Sequence, residues 1–176
     1  MKIISPKPFY FQDNGGIPNS ILPLLVYRSV TSRSGPDAAE WFQTVFTRNG
    51  WMNAWRWGIY PYHHFHSNTH EVLGVFSGEA MLVLGGPDGL QLKVETGDVL
   101  VIPAGVGHRC ISFSPEFCVL GAYAGGGKPD MNTGMPGERP GVDHRIAAVP
   151  LPDADPLGVI EGGLLALWRP ILENGL

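Results

Sequence analysis

The chain has 176 residues, of which 44% are hydrophobic and 16% charged, a composition typical of one well-packed globular domain. Its formal net charge of −4 argues against a nucleic-acid partner, which would require a basic face. No apolar run approaches the roughly 20 residues of a membrane span, and the first residues lack the apolar centre of a secretion signal. We therefore expect no membrane association and a cytoplasmic location.

Turn-forming residues are abundant, with 24 glycines and 16 prolines. Without collagen periodicity, this content predicts short strands joined by tight turns. We predict a single domain over residues 1–176. Residues 1–50 would form an arm, a strand and a helix, residues 51–124 the core, and residues 125–176 a Gly/Pro-rich loop and a closing strand at LLALW.

The first ordered elements are a strand and a helix. Residues 21–30 are mostly apolar and predict a buried strand. Residues 36–48 predict a helix, because Pro36 suits its first position, apolar residues recur on one face, and Asn49-Gly50 is a stop signal. We expect this helix to pack on the outside of the strands.

Four of the six histidines lie close together, and a glutamate follows them directly. These residues are His63, His64, His66, His70 and Glu71. Crowded imidazoles repel one another when protonated and need separate hydrogen-bond partners when neutral and buried. A divalent metal removes both problems, because it binds neutral imidazole nitrogen and carboxylate oxygen. The cluster therefore predicts a metal site.

The spacing of these residues fits an extended chain that turns back. In a strand, residues two apart point the same way, so His64 and His66 share one face. Ser67, Asn68 and Thr69 are turn formers that would let Glu71 rejoin that face.

Aromatic residues precede the histidines and favour a strand. If the strand runs unbroken, Tyr60 and Tyr62 share the inward face with His64, and the Tyr62 phenol could hydrogen-bond a substrate. The opposite face would then carry Trp55, Trp57, Ile59 and His63.

Two stretches resemble the signature motifs of the cupin superfamily. Gly58 to Gly78 reads GIYPYHHFHSNTHEVLGVFSG and is similar to the first motif. Gly97 to His108 reads GDVLVIPAGVGH and is similar to the second. The second motif usually closes with an asparagine where this chain has Ser112. That asparagine is not a metal ligand in the family, so the metal site is still expected.

The flanking sequences, such as NGWMNAWRWGIYPY and VPLPDADPLG, resemble the YjlB-like branch of the cupins. The resemblance implies an all-β double-stranded β-helix, a jelly-roll barrel of two antiparallel sheets with one N-terminal helix outside. It implies one divalent transition metal (Fe, Mn, Ni or Zn) on His64, His66, Glu71 and His108. A homodimer is the common family form.

The resemblance does not indicate the reaction. Our leading hypothesis is a metal-dependent enzyme of dioxygenase type that acts on a small polar metabolite. Tyr62 and His70 are the expected catalytic residues, with Ser112 on the substrate side. An isomerase or epimerase of a sugar or ketoacid would use the same metal as a Lewis acid. A non-catalytic module that binds a small ligand is the third reading.

Several residues keep alternative roles. His70 could replace Glu71 as a ligand, Cys110 could ligate the metal, and His144 could contact the substrate. Cys110 and Cys118 flank a predicted hairpin, where they would face each other and could form a disulfide, although reduced thiols fit a cytosolic protein better.

Overall fold

The computed structural model describes residues 5–175, which form nine strands and three helices. The strands are β1 (Lys7–Phe9), β2 (Leu24–Tyr27), β3 (Trp51–Trp57), β4 (Glu71–Ser77), β5 (Glu79–Leu84), β6 (Leu90–Glu95), β7 (Val99–Ile102), β8 (His108–Phe113) and β9 (Cys118–Ala124). The helices are α1 (Gly35–Arg48), α2 (Gly141–Ala148) and α3 (Leu164–Asn174). Residues 1–4 of the predicted arm and residue 176 lie outside the described part. Across the described range, no helix has the length and apolar character needed to cross a membrane.

The strands form two antiparallel sheets. One has six strands in the order β1-β2-β7-β4-β9-β3, and the other has three in the order β6-β5-β8. The chain changes sheet between β4 and β5, between β6 and β7, and again on entering β8 and β9. Such alternation is the connectivity of a jelly roll, which confirms the predicted double-stranded β-helix.

Side chains on β4 alternate between two hydrophobic cores, as the two-residue period of a strand requires. Leu73 and Val75 point between the sheets, into a core shared with Leu82 and Leu100. Val72 points the other way, into a core between the six-stranded sheet and the helices. The site described below occupies the inter-sheet side, at the end of β4 where Glu71 stands.

Helix α1 confirms the predicted outer helix within one residue at its start. Phe42 and Phe46 are fully buried against the back of the large sheet. Gly74 of β4 makes this contact close, because a Cβ there would lie 2.8 Å from the Phe42 ring. The missing side chain therefore seats the helix directly behind the strand that carries Glu71.

The predicted closing strand is wrong, because LLALW begins helix α3. Leu164 and Trp168 stand one helical turn apart and are both fully buried in the same outer core as Phe42. A five-residue apolar run fits a buried strand or one helix face equally well, so its periodicity alone does not decide. The outer layer thus contains two helices rather than one.

Two further expectations need correction. The segment 125–149 is not all loop, since α2 occupies its last third. Strands β8 and β9 do not form a hairpin, because β8 pairs with β5 in the small sheet while β9 pairs with β3 and β4 in the large one. Cys110 and Cys118 therefore lie in different sheets, and both thiols are free.

Candidate metal centre and its cavity

Backbone pairing brings the two motif stretches together. His64 and His108 exchange backbone hydrogen bonds, in which the nitrogen-to-oxygen distances are 3.2 and 2.9 Å. The Gly105 N–H donates to the His66 carbonyl at 2.8 Å. Residues far apart in the chain are thus held in fixed register at the end of the barrel, close to the start of β4.

Three histidines converge at this point. One ring nitrogen from each of His64, His66 and His108 lies within 4.8 Å of the others, and all three side chains are buried. Glu71 joins them, with its Oε2 3.4 Å from His66 Nε2 and 3.2 Å from His108 Nε2. Three imidazoles and one carboxylate therefore face a common centre.

The other ring nitrogen of each histidine is held by a backbone carbonyl. His64 Nδ1 lies 3.1 Å from the Tyr62 oxygen, and His108 Nδ1 lies 3.1 Å from the Val106 oxygen. His66 Nδ1 lies 2.6 Å from the Asp130 oxygen. A carbonyl oxygen only accepts, so each Nδ1 carries the hydrogen, and in the neutral ring each Nε2 offers a lone pair to the centre.

A divalent cation fits this donor set. Glu71 Oε2 is buried and forms no hydrogen bond to any described residue, although two Nε2 atoms lie near it. Three lone pairs and an ionised oxygen aimed at one another repel, and a cation at the centre would satisfy all four. Metal-binding histidines in proteins are usually oriented by a hydrogen bond at the ring nitrogen that does not bind the metal, and the Nδ1–carbonyl hydrogen bonds described above have this arrangement.

The electrostatics of the site favour uncharged His64. Burial, and then neighbouring His108, lower the pKa of His64 to about 3. Burial acts to raise the pKa of Glu71, but His66 and His108 hold it below its usual range. Burial likewise opposes protonation of His66, yet the Glu71 carboxylate raises the pKa of His66 above its ordinary value. The site is therefore built around an ionised Glu71.

Tyr123 and Trp55 support Glu71 from β9 and β3. The Trp55 indole N–H donates to the Tyr123 hydroxyl oxygen at 2.8 Å. Tyr123 is buried and lines the cavity beside Glu71. Burial, followed by the charge of Glu71, raises the pKa of Tyr123. Gly121 leaves room for the indole, since a Cβ there would lie 2.3 Å from the Trp55 ring.

Asp130 and Asn132, which follow β9, form hydrogen bonds to the stretch that carries His64 and His66. Phe65 and Asn132 exchange backbone hydrogen bonds of 2.9 and 3.1 Å. The Asp130 carboxylate accepts the Ser67 N–H at 2.7 Å and the Ser67 hydroxyl. The Asp130 carbonyl is also the partner of His66, so this segment fixes the orientation of one candidate ligand.

A cavity of about 660 Å³ opens from the candidate metal centre. Its walls are largely apolar and aromatic. The apolar lining residues include Trp55, Trp57, Ile59, Leu73, Phe113 and Phe117. Beyond the four converging residues, the charged or phenolic groups lining it are Arg56, Tyr60, Tyr123 and Asp130.

His70 does not fit the catalytic role predicted for it. Its Nδ1 accepts the Ala104 N–H at 3.0 Å, and its Nε2 donates to the Pro150 carbonyl at 3.2 Å. The ring packs against Trp168 and does not line the cavity. Burial lowers the pKa of His70 to about 4. Both nitrogens are occupied, so His70 is a neutral structural residue that faces the helix layer, and it is also not placed to replace Glu71.

Tyr62 lies at the surface beside the site rather than within the cavity. Its ring stacks on Tyr60 with 5.0 Å between centroids and meets the His64 ring edge-on at 5.8 Å. It is half-exposed and does not line the cavity. Its backbone carbonyl, rather than its hydroxyl, is the hydrogen-bond partner of His64. A catalytic role for the phenol stays a prediction that this position does not favour.

The predicted faces of the aromatic stretch are wrong. Strand β3 ends at Trp57, so the alternation does not continue to the histidines. A bulge between Met52 and Trp55 also shifts the register against β9. Trp55 and Trp57 therefore line the cavity against expectation, whereas Tyr60 lines it as predicted and Tyr62 does not.

The predicted position of Ser112 on the substrate side is also wrong, because β8 contains a bulge. Met81 pairs with Ser112 and Leu82 with Cys110, which leaves Ile111 without a partner across the ladder. The extra residue reverses the alternation, so Phe113 lines the cavity and Ser112 is exposed. Cys110 precedes the bulge and lines the cavity, but it does not belong to the group of converging nitrogens.

The remaining histidines lie away from the centre. His63 is partly buried and does not line the cavity, and burial together with Arg109 lowers its pKa. His144 is exposed on α2 and does not line the cavity. Sequence reasoning missed Tyr123 and the Asp130 carbonyl. A tyrosine in an apolar strand and a residue in a glycine-rich loop carry no motif that would single them out.

Comparisons with known proteins agree with this architecture. A family model described as a cupin domain matches residues 58–120. The uncharacterized protein YjlB of Bacillus subtilis (strain 168) is 44% identical over 163 residues, which cover 92% of this chain and 96% of that protein.

Two solved structures are also similar. An uncharacterized protein from Klebsiella pneumoniae with a double-stranded β-helix domain shares 16% identity over 73% of this chain and 84% of its own, with a TM-score of 0.36. Acireductone dioxygenase from Bacillus anthracis, with cadmium in its active centre, shares 17% identity over 52% of this chain and 63% of its own, with a TM-score of 0.37. On its motifs, its two-sheet topology and its identity to YjlB, this chain belongs to the cupin family.

Proposed function

We propose that the chain is a metal-dependent enzyme of the dioxygenase type, with one divalent metal held by His64, His66, Glu71 and His108. The observation that carries this proposal is the set of three Nδ1–carbonyl hydrogen bonds, which turn three Nε2 lone pairs toward the unpartnered Glu71 oxygen. No hydrogen bond within the described residues satisfies the buried Glu71 Oε2 atom. A cation does so with its ordinary ligand chemistry.

The bound metal would supply adjacent binding positions for a substrate and for O₂. In the overall reaction O₂ accepts four electrons from the substrate and both oxygen atoms enter the product, so no further reductant is needed. The chain itself orients the ligands through Tyr123 and Asp130 and keeps water away with apolar walls. This division of roles needs no separate acid and base.

The lining favours oxygenase over isomerase chemistry. An isomerase requires acid and base groups free to move protons at the substrate. The Tyr123 hydroxyl is held between Trp55 and Glu71, and the Asp130 carboxylate is held by Ser67. The Arg56 guanidinium donates to the Gln43 side-chain oxygen at 3.0 Å. Of the charged or phenolic groups that line the cavity beyond the four converging residues, only Tyr60 has no side-chain hydrogen bond within the described part of the chain, whereas an isomerase needs both an acid and a base.

Metal content tests the site. Untagged protein, purified without chelators, should contain about one equivalent of metal, and His64→Ala, His66→Ala, His108→Ala or Glu71→Gln should each lower that content substantially. His63→Ala is the matched control, because it removes a neighbouring imidazole that neither lines the cavity nor belongs to the converging group. Unchanged metal content in the first four variants would overturn the site assignment.

Oxygen consumption tests the reaction class. The Fe- or Mn-loaded protein should consume O₂ with at least one oxygen-chelating compound from a panel of 2-oxo acids, β-diketones and catechols. Conversion of a panel compound without O₂ uptake would instead support the isomerase. Metal binding without any turnover would favour the non-catalytic ligand-binding module.

A further inference from the structure

The cavity changes in chemical character from its inner end to its mouth. The inner end carries the histidines and Glu71, whose free atoms face the centre. The walls beyond it are Leu73, Cys110 and Phe117, all buried. A molecule that reaches the centre must therefore place its remaining atoms against hydrocarbon, sulfur and aromatic rings.

The mouth is apolar as well as exposed. Trp57 is 74% exposed and Phe113 67% exposed, and both line the same cavity. Tyr60 and Met131 are also exposed large side chains that line it. Exposed apolar side chains that are grouped at one opening, and not scattered over the surface, are typical of a site where an apolar molecule binds.

Polar partners for a hydroxyl-rich ligand are scarce along the walls. The two charged lining groups, Arg56 and Asp130, already bond to Gln43 and Ser67. A sugar in this cavity would leave several hydroxyl groups without hydrogen bonds, and each unpaired group costs free energy. The lining thus disfavours the small polar metabolite expected from sequence.

We propose that the substrate is amphipathic, with an apolar aromatic or branched-aliphatic body and a single oxygen-bearing head group that binds the metal. This inference rests on the proposed metal-dependent function and adds its substrate class. The body lies between Trp57 and Phe113 at the mouth and extends along Leu73 and Phe117 toward the centre. Phe113 is the specificity-determining residue at the mouth, in the wall position that the β8 bulge gives it.

Chain-length dependence tests the proposal. Straight-chain 2-oxo acids of four to eight carbons would be titrated into Zn-loaded protein by calorimetry, because zinc is redox-inactive and prevents turnover. Affinity should rise by up to about fourfold per added methylene until the cavity is filled. The heat-capacity change of binding should become more negative along the series. Equal affinity across the series, or tighter binding of gluconate than of the eight-carbon acid, would overturn the proposal.

Matched variants locate the contact. Phe113→Ser should weaken binding of the eight-carbon acid by about tenfold and leave the four-carbon acid nearly unchanged. Ile160→Ser is the control, because Ile160 is 88% exposed and does not line the cavity. If Phe113→Ser changes the oligomeric state and not the affinity, the mouth is a contact between copies of the chain and the proposal is wrong. Trp57→Ser gives a second test should Phe113→Ser fail to fold.

Metal-free protein separates this inference from the proposed function. Alkanols of four to eight carbons have no chelating group, so their binding reports on the apolar walls alone. Suppose that the protein takes up no metal, that it binds longer alkanols more tightly, and that Phe113→Ser weakens this binding. That result would support the apolar site and refute the metal-dependent enzyme. If the protein takes up metal but binds 2-oxo acids and alkanols of all chain lengths with equal affinity, the proposed substrate class is refuted and the metal site is not.

Discussion

The indole nitrogen of Trp55 lies 2.8 Å from the hydroxyl oxygen of Tyr123 and donates a hydrogen bond to it. Because that oxygen already accepts from the indole, the phenol hydrogen is free to be donated to the neighbouring Glu71 carboxylate, whose charge helps to raise the pKa of Tyr123. Two aromatic residues on adjacent strands thereby fix the direction of one hydrogen bond at the candidate metal centre.

Removing the Tyr123 hydroxyl should weaken metal binding. Tyr123→Phe deletes the donor that orients Glu71, and the loss of such an outer partner typically lowers metal affinity about 10–100-fold. Competition with a chelator of known affinity would measure the change. Tyr60→Phe is the matched control, because it makes the same chemical change at an exposed lining residue. Equal effects of the two substitutions would show that Tyr123 does not position Glu71.

Replacing His70 should lower stability and leave metal content near that of the unaltered protein. His70→Ala removes the acceptor for the Ala104 N–H and the donor to the Pro150 carbonyl, at a cost of about 2–4 kcal/mol in the free energy of unfolding. Urea unfolding and elemental analysis give the two values. His144→Ala should leave both unchanged, since His144 is exposed. Metal loss at unchanged stability in His70→Ala would restore a direct role for this residue.

Trp168 anchors helix α3 in the hydrophobic core behind the large sheet. Trp168 is fully buried, and its indole N–H donates to the Pro23 carbonyl at 2.9 Å. Trp168→Ala should lower the free energy of unfolding by about 3–5 kcal/mol. Trp57→Ala, at a 74% exposed position, should change it by about 0.5 kcal/mol or less. Similar losses for both, measured by urea unfolding, would contradict the packing of α3.

Alkaline pH should expose the contribution of Tyr27. Its hydroxyl donates to the Asp155 carboxylate, which also accepts the N–H groups of Leu157 and Leu164. Burial, followed by the charge of Asp155, raises the pKa of Tyr27. A raised pKa stabilises the fold fully below the unfolded value of about 10, and that stabilisation is lost as pH rises above it.

Unfolding in urea between pH 9 and 11.5 measures this effect. Above pH 10 the unaltered protein should lose stability faster than Tyr27→Phe, by about 1.4 kcal/mol per pH unit. The Phe variant serves as the control for titration of the other tyrosines. Parallel curves for the two proteins would show that Tyr27 titrates normally.

Much of the fold and the core of the candidate site could be predicted from sequence. His64 and His66 lie two residues apart, so local alternation brings them together without knowledge of the fold. His108 came from its resemblance to the second cupin motif, and backbone pairing with His64 places it there. Helix α1 carried its own start and stop signals.

The misplaced residues share a physical cause. Alternation predicts faces only while a strand continues with a regular ladder, but β3 ends at Trp57 and a bulge interrupts β8. Trp55 and Phe113 therefore line the cavity against expectation. Helix α3 was missed because a short apolar run has no period of its own. The homodimer and the cytoplasmic location rest on resemblance and composition and stay predictions.

The unpaired Ile111 lies on β8 between the candidate metal ligand and the residue at the cavity mouth. His108 and Cys110 precede it, and Phe113 follows it. If Ile111 paired with Met81 and the bulge were lost, Ser112 would take the place of Phe113 at the mouth, while His108 would keep its position. A barrel of this kind can change its ligand preference by gaining or losing a bulge beyond a candidate metal ligand, with that ligand left unchanged.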